Sequence, residues 1–232
     1  LAGTYVSRLG TDGTTAGLPL AGPKVVTTAR MYGGNQSVGN DGSVRPTSLA
    51  LSPDGKWLYL SGYMWRYSWH NDSYHGVYRI AYDQDKEPEV FVGSMKQDES
   101  GTEDGKFRGA TSVACDSQGR VYVTDHCNDR VQIFSPDGRF LKAIKVFRPA
   151  VISINPKNGE IYVFSWMTPN RFHIKLATEN EKARIPPLVI EPKLFKLGTF
   201  ESPKESAGLA LPLPKFGGSY QEWWNLPPIQ NV

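Results

Sequence analysis

Three observations predict an all-β fold of repeated four-stranded antiparallel units. Apolar and polar residues alternate in short runs, and helical periodicity is nearly absent. Two such runs flanking a glycine turn occur three times along the 232 residues. Each copy also carries a tyrosine in the strand after its turn, at Tyr59, Tyr122 and Tyr162. Four antiparallel strands repeated along a chain describe a β-propeller, whose blades bury their faces against one another.

Taken in order, residues 1–43 offer one strand pair, 4–9 and 24–32, around a loop rich in Gly, Thr and Pro. This segment is read as part of an incomplete blade. Three blades then occupy 44–200. In the first, 47–61 turns at Pro53-Asp54-Gly55, with 77–81 as third strand and 89–93 as fourth. In the second, 111–125 turns at Ser117-Gln118-Gly119, followed by 131–135 and 140–146. In the third, 151–165 turns at Lys157-Asn158-Gly159, followed by 172–176 and 194–198. Glycine closes each turn because the chain there needs positive φ or a tight reversal.

Residues 201–232 read as an irregular Pro-rich C-terminal segment. Eight of the 17 prolines lie between Pro186 and Pro228, and proline cannot donate to a ladder. Trp223 and Trp224 in this tail suggest docking onto another surface. Three blades fall below the roughly 4–8 that close a ring. The expectation is therefore a partial propeller, completed by other chains or domains.

The middle unit places Val123-Thr124-Asp125 at the end of its second strand and Arg130-Val131-Gln132-Ile133-Phe134 in its third, with Asp137-Gly138 beyond. In these residues it resembles the NHL repeat, closely over this blade and loosely over the other two. The resemblance implies a six-bladed type of propeller. It also implies a ligand face where second-to-third-strand loops and blade crossovers turn. The first unit departs from the pattern, with Gly62 for the Asp and Gly76 for the Arg; the third keeps Arg171 but has Ser165. Asp125 and Arg130 are structural candidates, because a carboxylate ending one strand can pair with a guanidinium opening the next.

On the expected ligand face the first blade carries an enlarged loop or extended hairpin, YMWRYSWHNDSYHG, over 63–76. Tyr63, Trp65, Tyr67 and Trp69 share one side of an extended chain. Two readings stand: the stripe packs down on the propeller, or it is an aromatic platform for sugar rings or a partner chain. The ligand-binding candidates are Trp65, Arg66, Tyr67, Trp69, His70 and His75. The following crossover adds Asp98, Glu99, Glu103 and Asp104. Together with His70 and His75 these are the candidate metal ligands. Imidazole with carboxylate suits a transition metal, and carboxylates with backbone oxygens suit Ca²⁺. No other cofactor is implied.

The net charge of +3, from 26 basic and 23 acidic residues, gives no footprint for nucleic acid, and the acidic crossover opposes one. No run approaches the roughly 18 apolar residues of a membrane helix, so membrane insertion is not expected. Nucleophile-elbow, zincin, Walker and dinucleotide fingerprints are absent from the sequence. Cys115 and Cys127 lie at unequal distances from a hairpin turn and read as ordinary thiols.

These features favour a non-catalytic binding or scaffold domain that contacts a glycan or a protein through its upper face. By resemblance, its setting is extracellular or periplasmic. The first alternative is a propeller lyase or hydrolase. There His70 or His75 would act as base and Tyr67 or Tyr74 as acid, with Arg66 neutralising a substrate carboxylate. The second alternative is a subunit of a larger complex.

Overall fold

The computed structural model describes residues 11–12, 43–65, 72–73, 75–82, 89–94, 99–166, 192–204 and 207–212. These form three antiparallel sheets and, apart from a 3-10 turn at His126–Asn128, no helix of more than one residue. They are successive blades of a β-propeller. Blade 1 contains β1 (Ser43–Leu51), β2 (Trp57–Trp65), β3 (Asp72–Ser73), β4 (His75–Ala81) and β5 (Glu89–Ser94). Blade 2 contains β6 (Ala110–Cys115), β7 (Val121–Asp125), β8 (Arg130–Phe134) and β9 (Phe140–Lys145). Blade 3 contains β10 (Pro149–Ile154), β11 (Ile161–Ser165), β12 (Lys193–Lys196) and β13 (Leu209–Ala210). Within each sheet the strands pair in chain order, except that the two-residue β3 attaches beside β2.

The turns share one chemistry. In 52–56 the Ser52 hydroxyl donates to Asp54 at 2.6 Å and accepts from the Trp57 N–H at 2.9 Å. Ser135 does the same work in the β8–β9 turn, bonding Asp137 and accepting from the Arg139 N–H at 3.1 Å. Asp116 replaces the serine in blade 2 and accepts from the Gln118 and Arg120 N–H groups at 2.9 and 3.0 Å. Gly55, Gly119, Gly138 and Gly159 close these turns at φ between 71° and 89°, the left-handed region that disfavours a Cβ.

The third turn is one residue longer. Residues 155–160 separate the paired Ile154 and Ile161, where 116–120 separate Cys115 and Val121. Accordingly Gly159 N–H reaches back to the Asn155 carbonyl, whereas Gly119 N–H reaches only to Asp116. Along β10 the structural match to β6 thus shifts by one, so Val151 stands where Ser112 does. Blade 3 also differs from expectation further out. β12, expected as a fourth strand, pairs directly with β11 as the third, and β13 is the fourth. The segment 172–176, expected as third strand, lies outside the described residues, as do 4–9 and 24–32.

Blades stack through two sealed layers. Ala50, Tyr59 and Val77 on the forward face of blade 1 pack with Val113, Val121, Val123 and Phe134 on the back of blade 2. Ala114, Tyr122, Val131 and Ile133 on the forward face of blade 2 pack with Ile152, Ile161 and Val163 on the back of blade 3. Blade 2 is therefore covered twice, and every residue of β7 is buried. Each fully buried Val or Ile contributes about 1.5–3 kcal/mol relative to exposure. Hydroxyls stitch the inner strands where the blades are closest. Ser48 Oγ lies 3.0 Å from Ser112 Oγ and accepts from the Val113 N–H at 3.0 Å. Thr111 donates to the Ala150 carbonyl at 3.0 Å.

At the upper end of blade 1, Gly76 and Gly93 are partners in the β4–β5 ladder. A Cβ on Gly76 would overlap the Val92 carbonyl oxygen and lie 2.8 Å from the Ser94 nitrogen. Gly76→Ala would gain about 0.4–1 kcal/mol by restricting the unfolded chain. The clash with rigid backbone, about 1–3 kcal/mol, outweighs that gain. Urea denaturation is expected to show a net loss of about 1.3 kcal/mol for this variant, the difference between the midpoints of those two ranges.

Candidate functional site

In blade 2 the β7–β8 loop and the crossover from blade 1 meet on one face, and a single carboxylate organises their junction. Asp125 ends β7 with its side chain fully buried. Its Oδ1 accepts from the Arg108 N–H at 2.8 Å. Its Oδ2 accepts from Asn128 Nδ2 at 2.9 Å, Arg130 Nε at 2.8 Å and Gln132 Nε2 at 3.1 Å. Burial pushes the Asp125 carboxyl above its ordinary range, against the opposing pull of Asn128, the Arg108 N–H and Arg130.

The donors around Asp125 continue into the crossover. Arg130 Nη2 donates to the Glu103 and Lys106 carbonyls at 2.9 and 3.0 Å, and Nη1 lies 3.4 Å from Asp104. Gln132 donates to the Lys106 carbonyl at 2.7 Å and accepts from the Gly105 N–H at 2.8 Å. Asn128 reaches the Gly101 carbonyl at 2.8 Å. Residues 101–108, which have no strand neighbour, thus find partners for their backbone groups in four side chains of the repeat.

The other blades solve the same junction differently. Ser165 occupies the place of Asp125 in blade 3, and its hydroxyl donates to the Phe147 carbonyl at 2.7 Å. In blade 1, glycines stand in both places, and the close approach of Gly76 to Gly93 replaces the side-chain clasp. Between blades 2 and 3, Asp129 adopts the left-handed region at φ 53° and accepts from the Arg148 N–H at 2.9 Å. His126 is completely buried there, with Nδ1 3.1 Å from the Pro149 carbonyl. A carbonyl only accepts, so Nδ1 is the donor in this contact.

The sequence candidates fall into three groups. The side chains of Trp65, Arg66, Tyr67, Trp69, His70 and Asp98 lie outside the described residues, and so do those of Tyr63 and Tyr74. Backbone pairing nevertheless runs through Trp65, opposite Ser43, and Tyr63 pairs with Ser73. β2 and β3 therefore pair antiparallel at the base of this connection, as far as Met64 opposite Asp72. Glu103 and Asp104 are exposed on the crossover: the Glu103 carboxylate accepts from the Thr102 N–H at 3.0 Å and lies 3.5 Å from Lys106 Nζ, and Asp104 lies 3.4 Å from Arg130 Nη1.

His75 and Glu99 are each related to Ser94, one by ladder register and the other by a hydrogen bond. His75 is buried in β4 and is the ladder partner of Ser94, so both side chains leave the same side of the sheet. Ser94 Oγ donates to Glu99 Oε2 at 2.5 Å. Imidazole, hydroxyl and carboxylate thus share the upper rim of blade 1. Among the described residues, no group of three or more His, Cys, Asp or Glu is placed to hold a metal ion.

Asn128, Gln132, His126 and Ser94 were not among the sequence candidates. Asn128 and Gln132 sit three and seven residues after Asp125, inside the repeat, and that spacing was their only available signal. Cys115 and Cys127 form no disulfide, and burial pushes each thiol up to about 12.

Residues 107–134 match the NHL repeat family. No curated protein matches the chain. Similar solved structures include a gluconolactonase from Xanthomonas campestris, at 18% identity over 51% of this chain and 34% of that one, with a TM-score of 0.36. A luciferin-regenerating enzyme is 17% identical over 72% of this chain and 49% of its own, with a TM-score of 0.44. The nidogen/laminin complex is 19% identical over 65% and 43%, with a TM-score of 0.38. The chain spans about a third to a half of the length of these structures.

Removing one member of a buried, hydrogen-bonded ion pair strands the other, a cost of about 3–5 kcal/mol. Asp125→Ala and Arg130→Met are each expected to lower stability by roughly that amount in denaturant titration. The double variant should be less destabilised than the sum of the two. The thiols give a separate check. At pH 8 both are protonated in the fold, so native protein should resist iodoacetamide while urea-unfolded protein is alkylated at both positions. Rapid native alkylation would contradict their burial.

Proposed function

We propose that this chain, built on propeller blades with an NHL repeat, is a binding or scaffold domain that contacts a protein or a glycan through its upper face. One observation carries the reading. The polar groups that converge on that face in blade 2 are engaged in holding a loop. Asp125, Arg130, Gln132 and Asn128 satisfy one another and the carbonyls of 101–106. Such a network fixes a surface in one shape, as recognition requires. In this reading the aromatic residues Trp65, Tyr67 and Trp69 of the sequence supply the apolar contact area.

A second reading, a metal-dependent or His/Tyr-dependent lyase or hydrolase, has its own support. His75 shares the rim of blade 1 with Ser94, which Glu99 accepts from. In that reading His70 and His75 serve as bases or ligands, and the chemistry is confined to blade 1.

Binding of the purified chain to immobilised glycans and to cell-surface protein fractions separates the readings, with metal content measured in parallel. The binding reading predicts retention that chelator leaves unchanged and that Trp65→Ala with Trp69→Ala weakens about thirtyfold, the effect of losing a 2 kcal/mol anchor. The glycan and protein arms identify the partner class. Stoichiometric metal that disappears in His70→Ala and His75→Ala, with binding unaffected by the tryptophan changes, would overturn it in favour of the enzyme.

A further inference from the structure

The crossover into blade 3 departs from the crossover into blade 2 at two residues. Pro149 pairs with Ser165 as Ala110 pairs with Asp125, so Arg148 stands where Gly109 does and Phe147 where Arg108 does. Both backbones take positive φ at this point, 101° at Gly109 and 42° at Arg148. Glycine adopts that region freely, whereas a residue with a Cβ is strained in it. Val146 fills the place of the buried Phe107, which leaves Phe147 outside and 49% exposed.

The strained residue is held at its backbone and left open at its tip. The Arg148 N–H donates to Asp129 Oδ1 at 2.9 Å, and the Phe147 carbonyl accepts from Ser165 Oγ at 2.7 Å. The Val146 N–H donates to the Asp129 carbonyl at 3.0 Å. Among the described residues, however, the Arg148 guanidinium makes no hydrogen bond. Its Nε is buried and lies 3.6 Å from Asp129 Oδ1, too far to donate. By contrast, Arg130 directs its donors to Asp125, Asp104 and the carbonyls of Glu103 and Lys106. The Arg148 side chain is 24% exposed, so a ligand can reach it. Its guanidinium carbon lies 5.9 Å from the Phe147 ring centroid, which sets a planar cation beside an open aromatic ring. Glycine would satisfy the backbone here, as it does in blade 2. Strain of this kind persists where a particular side chain must be aimed.

The geometry points to Phe147 and Arg148 as a recognition site for a carboxylate beside an apolar group, presented by an acidic segment of a protein partner. The guanidinium is a fork of donors that matches a carboxylate, and Phe147 covers the adjoining apolar group. Asp129 approaches only Nε, with an oxygen already bonded to the Arg148 N–H, so the Nη groups serve the ligand. An acidic sugar also carries a carboxylate, but its ring hydroxyls need further partners. The polar neighbours Asp129, Ser165 and His126 are bonded within the fold. The site rests on the upper-face binding reading and gives its ligand a chemistry.

Fluorescence anisotropy on the full chain tests it. The probes are a labelled Gly-Ser-Glu-Leu-Ser-Gly peptide, its counterpart with Gln for Glu, and a labelled oligogalacturonate as the acidic glycan. Wild type is expected to bind the Glu peptide saturably and the Gln peptide about tenfold or more weakly, the effect of losing one charge-assisted hydrogen bond. Arg148→Gly should abolish the discrimination, and Phe147→Ala should weaken both peptides. Glycine relieves the strain and keeps the N–H that bonds Asp129, so the urea midpoint of Arg148→Gly should equal or exceed that of wild type. A midpoint that falls instead makes the guanidinium a structural group and overturns the proposal. No saturable binding, equal binding of the two peptides, or discrimination that survives Arg148→Gly overturns it too, as does oligogalacturonate bound more tightly than the Glu peptide. Retention on protein fractions that Arg148→Gly leaves unchanged sinks the site and spares the upper-face reading. Peptide binding at Arg148 without retention on those fractions does the reverse.

Discussion

A β-sheet with apolar side chains on both faces cannot stand in water alone, and this constraint organises the whole molecule. β7 shows it most plainly, since all five of its residues are buried although its ends lie at opposite rims. Covering both faces requires neighbours on both sides, and each neighbour then has one face of its own to cover. The forward-pointing tyrosines Tyr59 and Tyr122 fill the space between sheets, each against aliphatic residues of the following blade. Near the axis the separation is too small for such side chains. Serine and threonine replace them, and their hydroxyls bond across the gap.

Where the blades diverge, at the rim, packing no longer decides the structure and local bonding takes over. At this rim blade 2 uses a carboxylate network, blade 3 a serine hydroxyl bonded to the Phe147 carbonyl, and blade 1 the close approach of two glycines in its β4–β5 ladder. The carboxylate version orders the most backbone, because one buried oxygen collects three side-chain donors that each reach further into the crossover. It also has the steepest desolvation cost, offset only because every donor is aimed at the carboxylate. That difference explains why the repeat is most recognisable in blade 2. Its pattern is the one that needs particular side chains at fixed positions.

Much of this was legible in the sequence because it is local. The glycine turns and the tyrosine after each of them mark the first two strands of every blade, and Asp125 lies only five residues from Arg130. The remainder depends on features that letters do not carry. The carbonyls of 101–106 receive four of the bonds in the junction, as many as Asp125 does, and a carbonyl has no residue identity. The extra residue in the 155–160 turn shifted the inner strand by one while leaving its alternating pattern intact, since any single step along a strand exchanges its two faces. The place of 194–198 was misjudged as the fourth strand instead of the third, and the fourth, Leu209–Ala210, lies in the segment read as irregular, because short strands of similar composition are distinguished only by their ladder partners. His75 and Ser94 are nineteen residues apart and meet only through the β4–β5 register.

The central claim is that sheet burial is unequal by position, with blade 2 sealed on both sides by its neighbours. Native-state hydrogen exchange on the intact chain measures this directly, because ladder amides exchange at rates set by the opening of the layers that cover them. The account predicts that the amides of β7 and β8 are the slowest in the molecule and exchange only with global unfolding, while those of β12 and β13 exchange much faster. Equal protection in all three sheets, or fastest exchange in β7, would contradict it.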